Sequence, residues 1–377
     1  MAFSSQPSVT NSLSVRREPL VLAALVTVWV MIAALVGLDT GQSGIQLFTL
    51  GTLLGVVFLA FAFGFASGWR LLLTTGNSMP MAAHFLLAAL LAGIFIPATA
   101  LQLGAQGAAA PLSWSLLIGA FVFGIGMQLA NGCGSGVLFS FGGGSGRMLV
   151  ALPAFVIGSV IGSMILPAAL DWGQSSPILI GSELGVFGQT AVNIALLGGV
   201  AWLCWWQGRR RGFGFPRKLG IAVGIIALLC ALVFALAGHP WGITFGFTLW
   251  GAKLAQAGGI DMTSFAFWQW PGPARALEHS VLADTSSLMN IGMVIGATAW
   301  AALGGGLRKQ EWPNQRQLFA AALGGITMGI GARLAFGCNI GAFLGGTASG
   351  SLHGWIWFAM ALAGSWVGIR LRPRFGF

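Results

Sequence analysis

Ten stretches of the chain, at 20–38, 45–66, 80–102, 113–131, 148–168, 186–206, 219–238, 285–304, 318–336 and 353–369, run for about twenty residues each with almost no charge. A helix needs about that length to cross the hydrocarbon core of a bilayer. Composition excludes a soluble domain. Hydrophobic residues make up 56% of the chain and charged residues 7%, too few to cover a surface that faces water. The sequence therefore predicts an all-α polytopic membrane protein with about ten transmembrane helices.

The net charge of +10 is spread in a way that argues against nucleic acid. Basic residues gather in short connections: Arg16 and Arg17; Arg209, Arg210, Arg211, Arg217 and Lys218; Arg308, Lys309 and Arg316; Arg370, Arg372 and Arg374. Nucleic-acid binding needs a basic face on a folded soluble module, whereas this pattern is the bias of cytoplasmic loops. With the N-terminus in the cytoplasm, every basic residue except Lys253, Arg275 and Arg333 falls on the inner side. The acids Asp39, Asp171, Glu183, Asp261, Glu278 and Asp284 fall outside. The expectation is a multi-pass protein of the inner (plasma) membrane with both termini cytoplasmic. No secretory cleavage pattern precedes Arg16, and the apolar segment after Glu18 is long enough to remain as an anchor.

One stretch occurs twice. "FGIGMQLANGCGSG" (123–136) and "MGIGARLAFGCNIG" (328–341) agree at eight of fourteen positions without gaps. Near them lie short apolar stretches broken by glycine, at 68–77, 133–144, 241–254 and 338–349. Irregular backbone at membrane depth persists only where protein buries it or where it lines a polar cavity. These four stretches are expected to be re-entrant half-helices, two in each of two inverted repeats. The first Gly-Cys break follows a span running inward and the second follows a span running outward. The expected organisation is a tail with an extra span at 1–40, a first repeat at 41–208, a basic linker at 209–218, and a second repeat with a basic tail at 219–377. Inverted repeats with paired broken helices are the pattern of transporters that bind substrate near the midplane.

The candidate substrate path follows from the breaks. Gly132, Gly134 and Gly337 flank the cysteines and permit close approach or positive φ. Cys133 and Cys338 occupy equivalent places, whereas Cys204 and Cys230 lie in plain apolar helices as small buried hydrophobes. Four cysteines make no disulfide framework in a chain this long. Two thiols without a convergent histidine make a poor zinc site. A neutral thiol is a weak donor with a soft sulfur, suited to a sulfur-bearing anion that must also leave. The bland alternative is that both cysteines only pack. Asn131, Ser135 and Asn339 offer neutral hydrogen bonds. Arg333 sits mid-span, where a charge faces a cavity or a partner. Lys253 either attracts the anion or extends to the interface. The four histidines are expected at interfaces. No cofactor is expected.

The quoted pair of motifs, the inverted halves and the re-entrant stretches resemble the YeeE/YedE family of sulfur transport proteins over about 45–370. The resemblance implies an hourglass fold that imports thiosulfate past cysteines at its constriction, with Cys133 and Cys338 in that place. It also implies a possible cytoplasmic sulfur-carrier partner of the TusA type. Two features depart from the family pattern: the first re-entrant stretch, "SGWRLLLTTGN", has no cysteine near Leu71, and the span at 20–38 is additional. The reading is a non-enzymatic importer of a small sulfur-containing inorganic anion, with thiosulfate the first expectation. The alternative is a membrane-bound sulfurtransferase or redox partner that carries sulfane sulfur on a cysteine. No base near either thiol favours that chemistry.

Overall fold

The computed structural model describes residues 18–304, 306–307 and 312–377. Arg16, Arg17, Arg308 and Lys309 of the expected basic clusters lie outside them. Among the described residues, nine helical runs are long and apolar enough to cross a membrane. The first run holds two of the ten expected spans. Helix α1 (Pro19–Ala60) breaks at Gly41, whose φ of 69° and ψ of −156° are available only to glycine. Beyond Gly41 the chain doubles back. Trp29 stacks on Phe48 with centroids 5.5 Å apart, and its Nε1 donates to Thr52 Oγ1 at 3.1 Å. In an unbroken helix residues 29 and 48 would stand about 28 Å apart. The other expected spans are α3 (Met79–Ala100), α4 (Trp114–Ala130), α6 (Met148–Leu170), α7 (Gly185–Arg210), α8 (Arg217–Ala237), α11 (Thr285–Leu303), α12 (Gln315–Leu334) and α14 (Leu352–Leu371).

The four short stretches form short helical pieces. They are α2 (Phe65–Thr75), α5 (Gly134–Gly142), α9 (Thr244–Ala257), and a π-helical turn (Asn339–Gly345) that runs into α13 (Gly346–Ala348). At 1.5 Å per residue the nine residues of α5 cover about 14 Å, half the hydrocarbon thickness. The connection from α9 to α11 carries the short helix α10 (Pro271–Glu278). Beyond the helices, β1 (Pro111–Ser113) pairs antiparallel with β2 (Gln174–Pro177).

Glycine decides how the long helices pack. Lipid gives apolar helices no hydrophobic reason to associate, so close backbone contact carries much of the attraction. Helices α4 and α12 cross antiparallel. Gly126 lies against Gly324 and Met328, and Gly331 lies against Gly119 and Phe123. A Cβ on Gly126 would stand 2.7 Å from the Gly324 carbonyl oxygen, and one on Gly331 would stand 2.5 Å from that of Gly119. The flanking helices repeat the arrangement. A Cβ on Gly124 would meet the Ala361 carbonyl of α14 at 2.1 Å, and one on Gly329 would meet the Phe155 carbonyl of α6 at 2.4 Å. Each copy of the motif thus sets glycines against the other copy's helix and against one flanking helix, α14 or α6.

Two histidines depart from the interfacial expectation. His84 is buried and stacks on Phe65 with centroids 4.2 Å apart. His353 is buried with its Nδ1 2.7 Å from Ser351 Oγ. Packing on Phe63 and Phe65 accommodates the His84 ring, and the Ser351 hydroxyl pairs the His353 ring.

Candidate functional site

Both Gly-Cys breaks start from a residue in the left-handed region. Asn131 ends α4 with φ 65°, a conformation asparagine tolerates better than most residues. The equivalent residue after α12 is Phe336, with φ 59°, followed by Gly337 at φ 150°. A side chain at Gly337 would also press on the Ala342 nitrogen at 2.9 Å. Cys133 then caps α5. Its Sγ accepts from the Gly136 N–H at 3.3 Å and lies 3.4 Å from Ser135 Oγ. Cys338 starts the π-helical turn.

The two breaks meet. A Cβ on Gly134 would fall 2.8 Å from Cys338 Sγ and 3.9 Å from Ile243 Cγ2. Cys133 and Cys338 are each 1% exposed. Beside them the buried Asn339 amide has no hydrogen-bond partner at either Nδ2 or Oδ1. A buried amide left unpaired in this way is costly and marks a place where a polar guest would be welcome. Trp69 Nε1 and Trp241 Nε1 are buried donors in the same condition. The sequence reading missed both, because nothing in the sequence separates an unpartnered tryptophan from the rest of a set of sixteen.

A cavity of about 670 Å³ opens on one side, lined by Gly242, Arg275, Asp284, Arg333 and both His239 and His279. Its floor reaches the second break, where the Gly242 Cα lies 4.0 Å from a Cβ built on Gly341. Among the described residues Arg333 makes no ion pair. Its guanidinium lies 5.5 Å from the Phe267 ring centroid, and its buried Nε lacks a partner. Asp284 is the one acid in the lining. Burial holds its carboxyl above the ordinary value of 3.8, against the opposing pull of the Ser287 hydrogen bonds and the His239 charge. Lys253 stands apart from this cavity: its Nζ donates to the Leu277 carbonyl and ties α9 to α10.

At the C-terminal end of α4 two arginines converge on Asn131, and a third, Arg147, stands beside them. The Asn131 Oδ1 accepts from Arg70 Nη1 at 2.7 Å and from Arg372 Nη1 at 3.1 Å. Arg372 Nη1 also donates to the Gln128 carbonyl at 2.6 Å, and Arg70 Nη1 reaches Gln128 Oε1 at 3.5 Å. Arg147 shares the Phe377 ring with Arg372, at 4.4 and 4.1 Å from its centroid. Burial, then the Arg70 charge, lowers Arg147 from its ordinary value. The amide expected to serve the substrate is thus engaged by two guanidiniums.

Comparison with known proteins agrees with this architecture. The chain is 38% identical over 160 residues to the probable transporter YedE of Escherichia coli, a match covering 42% of this chain and 38% of that one. The chain therefore spans well under two thirds of that relative's length. It is 28% identical over 268 residues to the thiosulfate transporter TsuA of Spirochaeta thermophila, covering 66% of this chain and 75% of the relative. With the TsuA of Escherichia coli the identity is 26% over 349 residues, 86% of this chain and 94% of the relative. The family described as sulphur transport matches residues 62–367. The chain belongs to the sulphur transport (YeeE/YedE) family.

Proposed function

We propose that this protein imports a small sulfur-containing inorganic anion, thiosulfate first, through a central constriction at Cys133 and Cys338. The observation that carries the reading is the abutment of the two breaks, 2.8 Å between Cys338 Sγ and the Cβ position of Gly134. Family membership and the TsuA relatives support the sulfur anion. The anion gathers in the cavity of Arg333 and Arg275, two arginines against the one carboxylate of Asp284 in an otherwise uncharged, largely apolar lining. Crossing the constriction strips its water, and each lost contact must be replaced. The start of α5 offers backbone N–H groups and a positive dipole end. The thiols and the unpartnered Asn339 amide add weak contacts that release as readily as they bind.

The reading includes two inverted repeats. The reciprocal contacts of Gly124 with α14 and Gly329 with α6 support them, as do the mutual contacts of Gly126 and Gly331. Apart from α10, short and long helices also follow one order in 42–170 and 217–371, with α7 between the two. An odd number of spans between the halves inverts the second. The reading retains an inner-membrane location with cytoplasmic termini, from the loop charges. A TusA-like carrier rests on the family resemblance.

Uptake of radiolabelled thiosulfate, sulfite, sulfate and selenite into cells lacking their own sulfur importers tests the substrate. Thiosulfate uptake above the empty-vector background is the expected result. Background uptake of every sulfur anion would remove the reading.

A further inference from the structure

The arginine cluster around Asn131 is not explained by packing. Three guanidiniums share a half-buried corner, and the charges acting on Arg147 and Arg372 are those of other arginines in the cluster. Like charges held together in a medium of reduced dielectric repel unless an opposite charge joins them. The hydrogen bonds to Asn131 and Gln128 run through Nη1 of Arg70 and Arg372. A guanidinium carries five N–H donors in a planar fork that matches an oxyanion. Most of those donors remain for a ligand, and Arg147 Nε is buried without a partner.

The cluster is remote from the Arg333 cavity. The antiparallel crossing sets Ala335 beside Gly119 and Ala130 beside Gly324. Eleven residues of α4 separate those two levels, about 16 Å at 1.5 Å per residue. The two basic regions therefore lie at opposite ends of the α4–α12 pair, each where one Gly-Cys break begins, and the two breaks meet between them at Gly134 and Cys338.

We propose that Arg70, Arg147 and Arg372 form a second anion site, for a small doubly charged oxyanion, on the far side of the constriction from the Arg333 cavity. Asn131 is its organiser: one carbonyl oxygen in a left-handed cap fixes two guanidiniums at once. In transport the site holds the anion after it passes the thiols and before it leaves. Only that last role rests on the proposed function; the binding site stands without it.

The test measures equilibrium binding of sulfate and of thiosulfate to the purified full chain in phosphatidylcholine nanodiscs at low ionic strength. Two classes of site are expected. Arg70→Gln and Arg372→Gln should each weaken one class by about tenfold to a hundredfold, and Arg333→Gln should weaken only the other. Asn131→Gly keeps the left-handed cap but removes the organising oxygen, and should weaken the same class as Arg70→Gln. Arg70→Lys keeps the charge without the fork and should fall between wild type and Arg70→Gln, which covers the case of a misfolded glutamine variant. Wild-type binding in well-folded Arg70→Gln and Arg372→Gln would overturn the site. So would loss of that class on adding phosphatidylglycerol at constant ionic strength, which would give the arginines to a lipid headgroup. Arginine-dependent binding without thiosulfate uptake would keep this site and remove the transport reading. Uptake without such binding would do the reverse.

Discussion

Cys338 Sγ and Gly134 touch across the centre of the molecule: a Cβ added to Gly134 would stand 2.8 Å from that sulfur. Real Cβ atoms do not approach sulfur so closely, so glycine at 134 is what lets the second thiol sit against the start of α5. The first break thereby makes room for the cysteine of the second.

Gly134→Ala places a methyl group in that contact. The variant is expected to insert and purify normally yet to lose most of its thiosulfate uptake. Uptake at the wild-type rate in Gly134→Ala would mean the contact is not on the path.

The crossing glycines predict a matched pair of stability losses. Gly124→Ala and Gly329→Ala each drive a Cβ into a facing carbonyl, at 2.1 and 2.4 Å. Overpacking of this kind costs about 1–3 kcal/mol. Gly224→Ala in α8 has nothing within 4 Å and should be neutral or slightly stabilising. Thermal unfolding in detergent checks all three, and equal midpoints would contradict the packing account.

Arg333 has an unpartnered Nε and lines the cavity that Arg275 also faces. Arg333→Gln should lower uptake about tenfold at limiting anion, the cost of one charge-assisted contact, and less at saturating anion. Wild-type uptake at limiting anion would return Arg333 to a role in packing on Phe267.

Asp284 gives a pH dependence of stability. Its carboxyl is raised by burial, so folding takes up a proton. The stabilising contribution is complete below the ordinary value of 3.8 and is lost as pH rises through the raised folded value. Asp284→Asn preserves a capping oxygen for the Ser287 N–H and should flatten that fall. Unfolding midpoints of both proteins between about pH 3 and pH 7 measure it, and identical slopes would contradict the assignment.

Much of the fold was legible because apolar runs of about twenty residues leave little choice in a bilayer. The Gly-Cys breaks were legible because identical residues recur at one spacing. The arginine cluster was not. Arg70, Arg147 and Arg372 come from three distant segments, each reading as an ordinary loop charge, and only the packing of α2, α6 and α14 around α4 brings Arg70 and Arg372 to Asn131 and Arg147 beside Arg372. The partner of Lys253 was equally hidden: its position in a short broken stretch suggests the anion path, and in the structure its Nζ donates to the Leu277 carbonyl. The connection 258–284 contains no long apolar run, and its short helices form a wall of the Arg333 cavity that periodicity does not signal.

The most direct measurement is thiosulfate uptake by the four single cysteine-to-alanine variants at equal membrane abundance. Cys133→Ala and Cys338→Ala should each lose most uptake, while Cys204→Ala and Cys230→Ala stay near wild type. Serine at 133 or 338 then separates a hydrogen bond, which serine restores, from a requirement for sulfur, which it does not. Normal uptake in both Cys133→Ala and Cys338→Ala would contradict the account and reduce the paired breaks to packing.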